Sequence, residues 1–286
     1  MKSPATLLES SGGLATETRG VLLTSFPKSG TYLSWRILRA IQKAGGVYRS
    51  FARDTGLAEA LVTFVDPEQF PFEHYEEIDE VFPEEGDGWS FYIHHPKRTL
   101  QIDLELFLET ASIVWVHEPP SRALSLGEGR QGIYLMRDGR AVVNSLIHHV
   151  TRPSVVAIHP TYTITDPAEL YRRPGVFRNY VEVWRRHVED FKEHRESYEL
   201  VRFEDLTRDM PATIERLSRL LDVNVDAHAL AQDFQFDRMK ASSPTHVRAG
   251  SDADWQQYYT PEHTSIFKEV AGDLLVELGY EDDLDW

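Results

Sequence analysis

VLLTSFPKSGTY, residues 21–32, is the stretch that decides the fold. Its first six residues, Val21 to Phe26, form an apolar run of the length expected for a buried β-strand. Pro27 ends the run, and residues 29–46 then carry apolar side chains at helical spacing until the glycine pair Gly45-Gly46. A strand that passes through a short polar loop into a helix is typical of an α/β protein whose strands run parallel.

The rest of the chain repeats this alternation of strand and helix. Further strands are predicted at residues 89–94, 112–117, 132–136 and 199–203, and further helices at residues 139–149, 176–194, 212–221 and 261–278. Short β runs that alternate with helices predict a mostly parallel sheet covered by helices on both faces. In such sheets, ligands bind beyond the carboxyl ends of the strands.

The composition argues against several classes of protein. The net charge of −16 argues against a nucleic-acid binder, because such proteins need a basic surface. The absence of cysteine excludes disulfides, thiolate metal ligands and cysteine nucleophiles. No apolar run approaches the roughly 18 residues that span a bilayer, and residues 1–20 lack the apolar core of a signal peptide. We therefore expect a cytoplasmic protein without a membrane partner.

The chain is expected to form a single domain over residues 20–286, preceded by a flexible tail at residues 1–19. Residues 66–88 form an acidic insertion with ten Asp and Glu and no Lys or Arg. Such a run is typical of a solvated segment, and the alternative is a lid that selects a neutral or cationic substrate. Aromatic residues between positions 70 and 92 could line an apolar acceptor pocket or belong to the core.

The PKSGT loop, residues 27–31, has the features of an anion site. A helix that begins directly after it points several backbone N–H groups and the positive end of its dipole at one place. Gly30 allows a close backbone approach, and Lys28 adds a mobile charge. Ser29 and Thr31 add hydroxyl groups. The lysine precedes the glycine, unlike in the Walker A motif, and this weakens an ATPase or GTPase interpretation. The alternative is an ordinary polar turn between strand and helix.

A second strand, polar turn and helix are predicted in IYLMRDGRAVVNSL, residues 133–146. Arg137 lies at the end of the strand, and Ser145 follows eight residues later, about two helical turns away. Both side chains could therefore face one ligand. In the alternative interpretation, Asp138 caps the helix, and Arg137 and Arg140 pair with nearby carboxylates.

FPKSGT and RDGRAVVNS resemble, in this order, the two nucleotide-binding signatures of the sulfotransferase superfamily, most closely its cytosolic type. The donor of that family is 3'-phosphoadenosine 5'-phosphosulfate (PAPS), and its nucleotide product is 3'-phosphoadenosine 5'-phosphate (PAP). WVHEPPSR, residues 115–122, is similar to the segment that bears the family's catalytic histidine. Residues 236–255, FDRMKASSPTHVRAGSDADW, resemble its Arg-Lys-Gly segment followed by a tryptophan. The resemblance implies a P-loop-like three-layer α/β/α fold with a central, mostly parallel five-stranded sheet.

The resemblance also assigns roles to particular residues. Those expected to bind the 5'-phosphosulfate side of the donor are Lys28, Ser29, Gly30 and Thr31, next to Tyr32. Those expected to bind the 3'-phosphate are Arg137, Ser145, Arg248 and Gly250, with Trp255 as a further match. Phe203 is a further donor-binding candidate. His117 would take the proton of the acceptor, and Lys28 would meet the charge that builds on the leaving phosphate oxygen. No metal is required.

The implied function is transfer of a sulfuryl group from PAPS to a hydroxyl, or less often an amine, of a small to medium acceptor. Two alternatives are a catalytically silent module that binds PAP or a similar nucleotide, and a P-loop-like small-molecule kinase. The chain departs from the family pattern at Leu33 and Phe203, which replace a tryptophan and a tyrosine, and at Trp115, which replaces a lysine. The family's short dimerisation motif is not visible, and the oligomeric state stays open.

Overall fold

The computed structural model describes residues 20–56, 81–83, 89–93, 98–101, 103–156, 162–242 and 253–286. The predicted tail, residues 1–19, lies outside these ranges, and so does most of the acidic insertion at residues 66–88. Among the helices in these ranges, none combines the length and the hydropathy that crossing a bilayer requires.

The central sheet consists, in its described part, of four parallel strands. The strands of the described ranges are, in chain order, β1 (Val21–Ser25), β2 (Val81–Pro83), β3 (Trp89–Ile93), β4 (Arg98–Gln101), β5 (Ile113–Val116), β6 (Gln131–Met136) and β7 (Glu199–Arg202). The central sheet has the order β5-β1-β6-β7, and every pairing in it is parallel. Strands β2, β3 and β4 form a separate antiparallel sheet. The predicted α/β class with a parallel sheet is confirmed, whereas the strand expected at residues 89–94 pairs in the small sheet.

Helices follow most of the strands. The helices of the described ranges are α1 (Thr31–Ala44), α2 (Phe51–Asp54), α3 (Leu104–Thr110), α4 (Pro120–Ala123), α5 (Gly139–Val150), α6 (Pro153–Val156), α7 (Pro167–Tyr171), α8 (Pro174–Glu193), α9 (Phe203–Arg208), α10 (Met210–Leu220), α11 (Ala227–Ala231), α12 (Phe236–Ser242) and α13 (Pro261–Glu277). Helices α5, α8, α10 and α13 agree with the four helices predicted after residue 130 to within two residues at each end.

The core lies on both faces of the central sheet. Strand β1 is buried throughout, because β5 and β6 flank it on its two sides. Successive side chains of a strand point to opposite faces. Leu22 therefore packs in a cluster with residues of α5, α8 and α13, whereas Val21 and Leu23 pack in a cluster with residues of α1 and α10. The result is the three-layer α/β/α arrangement that the sequence predicts.

Helices α8 and α13 are also joined by ion pairs on their outer sides. The pairs are Arg178–Glu269, Arg185–Asp273 and Lys192–Glu277. Arg185 donates to both carboxylate oxygens of Asp273, at 2.6 and 2.9 Å, and these hydrogen bonds lower the pKa of Asp273. Because Asp273 is largely exposed, such a pair stabilises the fold by only about 1 kcal/mol. The pairs add to the packing of α8 against α13.

Candidate active site

Four chemically distinct features lie at one edge of the central sheet. His117 follows β5, the PKSGT loop follows β1, Arg137 follows β6, and Phe203 follows β7. Since the strands are parallel and adjacent in the order β5-β1-β6-β7, their carboxyl ends bring these features side by side in that order. Most of the predicted site residues therefore belong to one place.

The PKSGT loop has the backbone shape of an anion site. Lys28 and Gly30 both have positive φ angles, 74° and 97°, and Gly30 is the N-cap of α1. A positive φ is uncommon at a residue with a side chain such as Lys28. Ser29, between them, is only 1% exposed. The first turn of the 14-residue helix α1 contains no acidic residue that would neutralise its positive end. The free end of the helix dipole and the loop N–H groups favour a negatively charged ligand.

Gly30 is required at its position for a second reason, which is contact with Phe203. A Cβ atom built on Gly30 would lie 2.3 Å from Cδ2 of the Phe203 ring. No side chain fits there without moving the ring or the loop. Phe203 is the first residue of α9, so the expected strand at residues 199–203 ends one residue earlier, at Arg202.

Arg137 joins the loop to the far side of the site. Its Nη1 donates to the carbonyl oxygen of Lys28 at 3.2 Å, and its guanidinium lies 4.2 Å from the centre of the Phe203 ring. These contacts bring together Lys28, Gly30, Arg137 and Phe203, which the sequence predicts as parts of one site. The Arg137 side chain therefore contacts the loop that carries Lys28, so two cationic residues belong to one site in a protein whose net charge is −16.

His117 lies on the other side of the loop. Its Nδ1 is 3.0 Å from the carbonyl oxygen of Ser25 and 3.4 Å from the Ser25 hydroxyl. Because a carbonyl oxygen can only accept, Nδ1 carries the hydrogen, and Nε2 holds the lone pair that can take a proton. The ring also contacts Trp115, which is buried and stacks on Trp35 with 6.1 Å between ring centres. Trp115, a departure from the family pattern, is thus part of the core under this histidine.

Ser25 links the histidine to the loop, and sequence reasoning missed it. Its hydroxyl lies 2.6 Å from the Thr31 hydroxyl at the start of α1, and its carbonyl oxygen accepts from His117. Both hydroxyl groups are buried. The available signal was its position, since Ser25 is a polar residue near the end of an otherwise largely apolar strand.

A buried network holds the residues that directly follow Arg137. Asp138 caps α5 by accepting from the Arg140 N–H at 2.8 Å, and its own N–H donates to Glu204 at 2.9 Å. Arg140 pairs with Asp138 and Glu281. Burial opposes the charge of Arg140, but the hydrogen bonds and attraction of these carboxylates outweigh it and raise its pKa. The alternative interpretation of this stretch is therefore right for Asp138 and Arg140, while Arg137 turns to the loop. Glu204 is a second residue that sequence reasoning missed.

Within the described ranges, the contacts around the PKSGT loop do not include the other predicted site residues. Ser145 is partly buried in the second turn of α5. Its neighbour Asn144 donates to Asp254 at 3.0 Å, which holds the chain that follows residues 243–252 against α5. Arg248 and Gly250 lie outside the described residues.

Tyr32 and Trp255 have neighbours outside the loop. Tyr32 stacks on Trp35, 6.2 Å away, and the Arg36 guanidinium lies 5.7 Å from its ring. Trp255 lies over Arg140, with 4.5 Å from the guanidinium to the ring centre. The contacts of Trp255 are those of a packing residue in the network around Arg140.

A family profile described as a sulfotransferase domain matches residues 129–279, which include Arg137, Ser145 and Phe203. The matched region begins after the PKSGT loop and His117, and these two features join it through the contacts described above. No curated protein sequence matches the chain.

Several solved structures share the fold. Mouse sulfotransferase SULT7A1 complexed with PAP gives a TM-score of 0.55 at 17% identity, over 93% of this chain and 87% of that one. Retinol dehydratase in complex with androsterone and inactive cofactor PAP gives 0.51 at 19% identity, over 91% and 81% of the two chains. The complex of retinol dehydratase with retinol and PAP gives a TM-score of 0.51 at 18% identity, over 89% of this chain and 80% of that one. Because the family profile spans more than half of its 286 residues, the chain belongs to the sulfotransferase domain family.

Proposed function

We propose that this sulfotransferase moves the sulfuryl group of PAPS to a hydroxyl, or less often an amine, of a small to medium acceptor, with His117 as the base. The observation that carries the proposal is the position of His117 beside the PKSGT loop. Ser25 contacts both His117 and Thr31, so one residue couples the imidazole to the anion-binding end of α1. A proton acceptor and an anion site held this close suit group transfer from a phosphate-linked donor.

The residues of the site fit the chemistry of PAPS. The donor carries negative charge at its 5' end and at its 3'-phosphate, and it needs two cationic regions. The loop N–H groups and Lys28 suit the first region, and Arg137, on the neighbouring strand end, suits the second. Mouse SULT7A1 and retinol dehydratase, which share the fold, are complexed with PAP, and this supports the same nucleotide here.

Each end of the donor would have its own set of residues. The 5' end would be held by Lys28, Ser29, Gly30 and Thr31, next to Tyr32. The 3'-phosphate would be held by Arg137, Ser145, Arg248 and Gly250, with Phe203 under the Arg137 guanidinium. The bond from Asn144 to Asp254 supports this second set, because it fixes the chain that returns from residues 243–252 beside Ser145. When bound, PAPS supplies an electron-poor sulfuryl group that can pass in line between two oxygens.

His117 and Lys28 would do the chemical work of the protein. With Nδ1–H bonded to the Ser25 carbonyl, the His117 ring is oriented, and Nε2 takes the proton of the acceptor hydroxyl. The Lys28 ammonium stabilises the negative charge that develops on the leaving phosphate oxygen. The Thr31 hydroxyl, held by Ser25 at 2.6 Å, lies at the same end of α1 and supports that role.

The acceptor is proposed to be a small to medium molecule with an apolar body and a hydroxyl, or less often an amine, that receives the sulfuryl group. The aromatic residues between positions 70 and 92 supply candidates for an apolar wall. Androsterone and retinol, found in complexes of retinol dehydratase, are apolar molecules that carry a hydroxyl group.

The test is turnover with isotope-labelled PAPS and a panel of acceptors: a phenol, a primary alcohol, a hydroxysteroid and an amine. We expect sulfated product from at least one hydroxyl compound, and loss of turnover in His117→Ala with PAP affinity within about twofold of the wild type. His228→Ala, at an exposed histidine of α11, is the matched control. Wild-type turnover in His117→Ala would remove histidine from the base role. A wild type that binds PAP but sulfates no acceptor would favour the silent binding module.

A further inference from the structure

The turn that follows His117 is held from beneath by polar side chains. Three of its backbone groups are bonded in this way. The His187 Nε2 donates to the Glu118 carbonyl at 3.2 Å, the Tyr198 hydroxyl donates to the Pro120 carbonyl at 3.1 Å, and the Ser121 N–H donates to Asp190 at 2.7 Å. His187 and Asp190 lie three residues apart on α8, which is one turn of the helix. Helix α8 therefore forms hydrogen bonds with the turn at two points.

We propose that His187 is a positioning residue for His117, which it serves by fixing the backbone next to the base. The inference rests on the proposed role of His117. His187 is the contact in this set nearest to the base, because Glu118 directly follows His117 in the chain.

The hydrogen bonds of His187 define its orientation. The ring is 5% exposed, and both of its nitrogens have partners. The Glu118 carbonyl can only accept, so Nε2 carries the hydrogen, and Nδ1 accepts from the Tyr134 hydroxyl at 2.9 Å. Tyr134 belongs to β6 and is itself only 1% exposed. A single neutral tautomer therefore connects β6 to the end of β5.

His187 also contacts the strand that leads into the anion loop. Its ring meets the ring of Phe26 edge to face, with 5.5 Å between centres. Phe26 directly precedes the PKSGT loop. One buried side chain thus touches the ends of β1 and β5, which carry the proposed phosphate site and the proposed base, and a change in its shape would move one relative to the other.

The charge state of His187 agrees with this role. Burial, and then the charge of His117, lower the pKa of His187 to about 4, against the opposing effect of the Glu118 and His117 carbonyls and of Asp190. At neutral pH the ring is therefore uncharged, as one donated and one accepted hydrogen bond require. A neutral His187 also places no second positive charge beside His117 when that residue takes a proton.

A purely space-filling role would not need a histidine. Burying a polar side chain costs free energy unless its hydrogen bonds are made, and a leucine of similar bulk would fill the space between α8 and β6. A buried histidine with both nitrogens hydrogen-bonded indicates that this side chain orients the turn. Misplacement of a catalytic group by about 1 Å can lower the rate about a hundredfold.

The test compares His187→Leu with His187→Gln in the full chain. A glutamine can donate to the Glu118 carbonyl and accept from Tyr134, whereas a leucine leaves both without a partner. We expect His187→Leu to lower kcat about ten- to a hundredfold, with KM for PAPS and Kd for PAP within about twofold of the wild type. His187→Gln should recover kcat to within about threefold of the wild type. His228→Gln is the control for loss of a histidine.

The outcomes separate this inference from the proposed function. Turnover by the wild type and its loss in His117→Ala are measured first, and failure there overturns the base role of His117 and the positioning role of His187 together. A folded His187→Leu with wild-type kcat, or a His187→Gln as impaired as His187→Leu, would overturn the positioning role. If His187→Leu does not fold, Tyr134→Phe decides, because it removes only the hydroxyl that orients His187. We expect Tyr134→Phe to lower kcat several-fold without a change in KM, and an unchanged kcat would refute the inference.

Discussion

Replacing Gly30 by alanine tests the shape of the PKSGT loop. Gly30 has a φ of 97°, and a Cβ atom there would lie 2.3 and 2.7 Å from two carbons of the Phe203 ring. An alanine therefore needs both a strained backbone and a displaced ring. Since the same ring lies 4.2 Å from the Arg137 guanidinium, its displacement disturbs the proposed phosphate site as well as the fold.

The expected cost follows from two contributions. Holding an L-residue in the left-handed region costs about 1–2 kcal/mol, and overpacking against a ring costs about 1–3 kcal/mol, so Gly30→Ala should lose about 2–5 kcal/mol. Gly46→Ala is the matched control, because Gly46 also has a positive φ, 70°, but has open space around its Cβ position. The control should lose only the backbone contribution, about 1–2 kcal/mol.

Urea denaturation measures both losses, and thermal unfolding with and without PAP measures the effect on the site. We predict that Gly30→Ala is less stable than Gly46→Ala by about 1–3 kcal/mol and is not stabilised by PAP. Phe203→Ala in the Gly30→Ala background should recover part of that difference, because the ring is then absent. Equal losses in the two glycine variants, with stabilisation by PAP intact in Gly30→Ala, would show that the Phe203 ring does not restrict this position of the loop.

Three further predictions concern other parts of the molecule. In the unfolded chain His187 takes a proton near its ordinary pKa of 6.5, whereas in the folded chain it does so only near pH 4. Between pH 7.5 and 5, the free energy of unfolding should therefore fall by about 2 kcal/mol more in the wild type than in His187→Gln, as measured by urea denaturation. Equal falls in the two proteins would contradict this. Arg137→Lys should weaken PAP binding about tenfold but binding of adenosine 5'-phosphate, which lacks the 3'-phosphate, less than about twofold by calorimetry; equal weakening of both would remove Arg137 from the 3'-phosphate site. Arg185→Lys should lower the free energy of unfolding by about 1 kcal/mol at low salt and less at high salt, because Arg185 donates to Asp273, Glu189 and the Val270 carbonyl. Arg219→Lys, at an exposed pair, is the control, and no change in Arg185→Lys at low salt would show that these contacts contribute nothing.

The position of the site could be predicted from the sequence because its parts follow a local pattern. A buried run that ends at a polar residue marks the carboxyl end of a strand, and His117 and Arg137 both follow such runs. The partners of a strand are not encoded in this way. Residues 89–93, WSFYI, are as apolar as a central strand, but they pair in the small antiparallel sheet.

The supporting residues could not be predicted, because each acts through a distant partner. Ser25 contacts His117 across 92 positions, Asp138 contacts Glu204 across 66, and Tyr134 contacts His187 across 53. Single polar residues in apolar surroundings carry no local signal for the partner they meet. The contact of Ser25 follows from the pairing of β1 with β5, and those of Asp138 and Tyr134 follow from the positions of α9 and α8 beside β6.

The proposed donor site is tested most directly by thermal unfolding of the wild-type protein with PAP, adenosine 5'-phosphate, ADP and ATP. A ligand at about 100 times its Kd stabilises the folded state by about 2.7 kcal/mol. We expect a shift of this size with PAP and a much smaller one with adenosine 5'-phosphate at the same concentration, because only PAP carries the 3'-phosphate that Arg137 is proposed to bind. Stabilisation by ATP with none by PAP would argue against a PAPS-dependent sulfotransferase and favour a kinase.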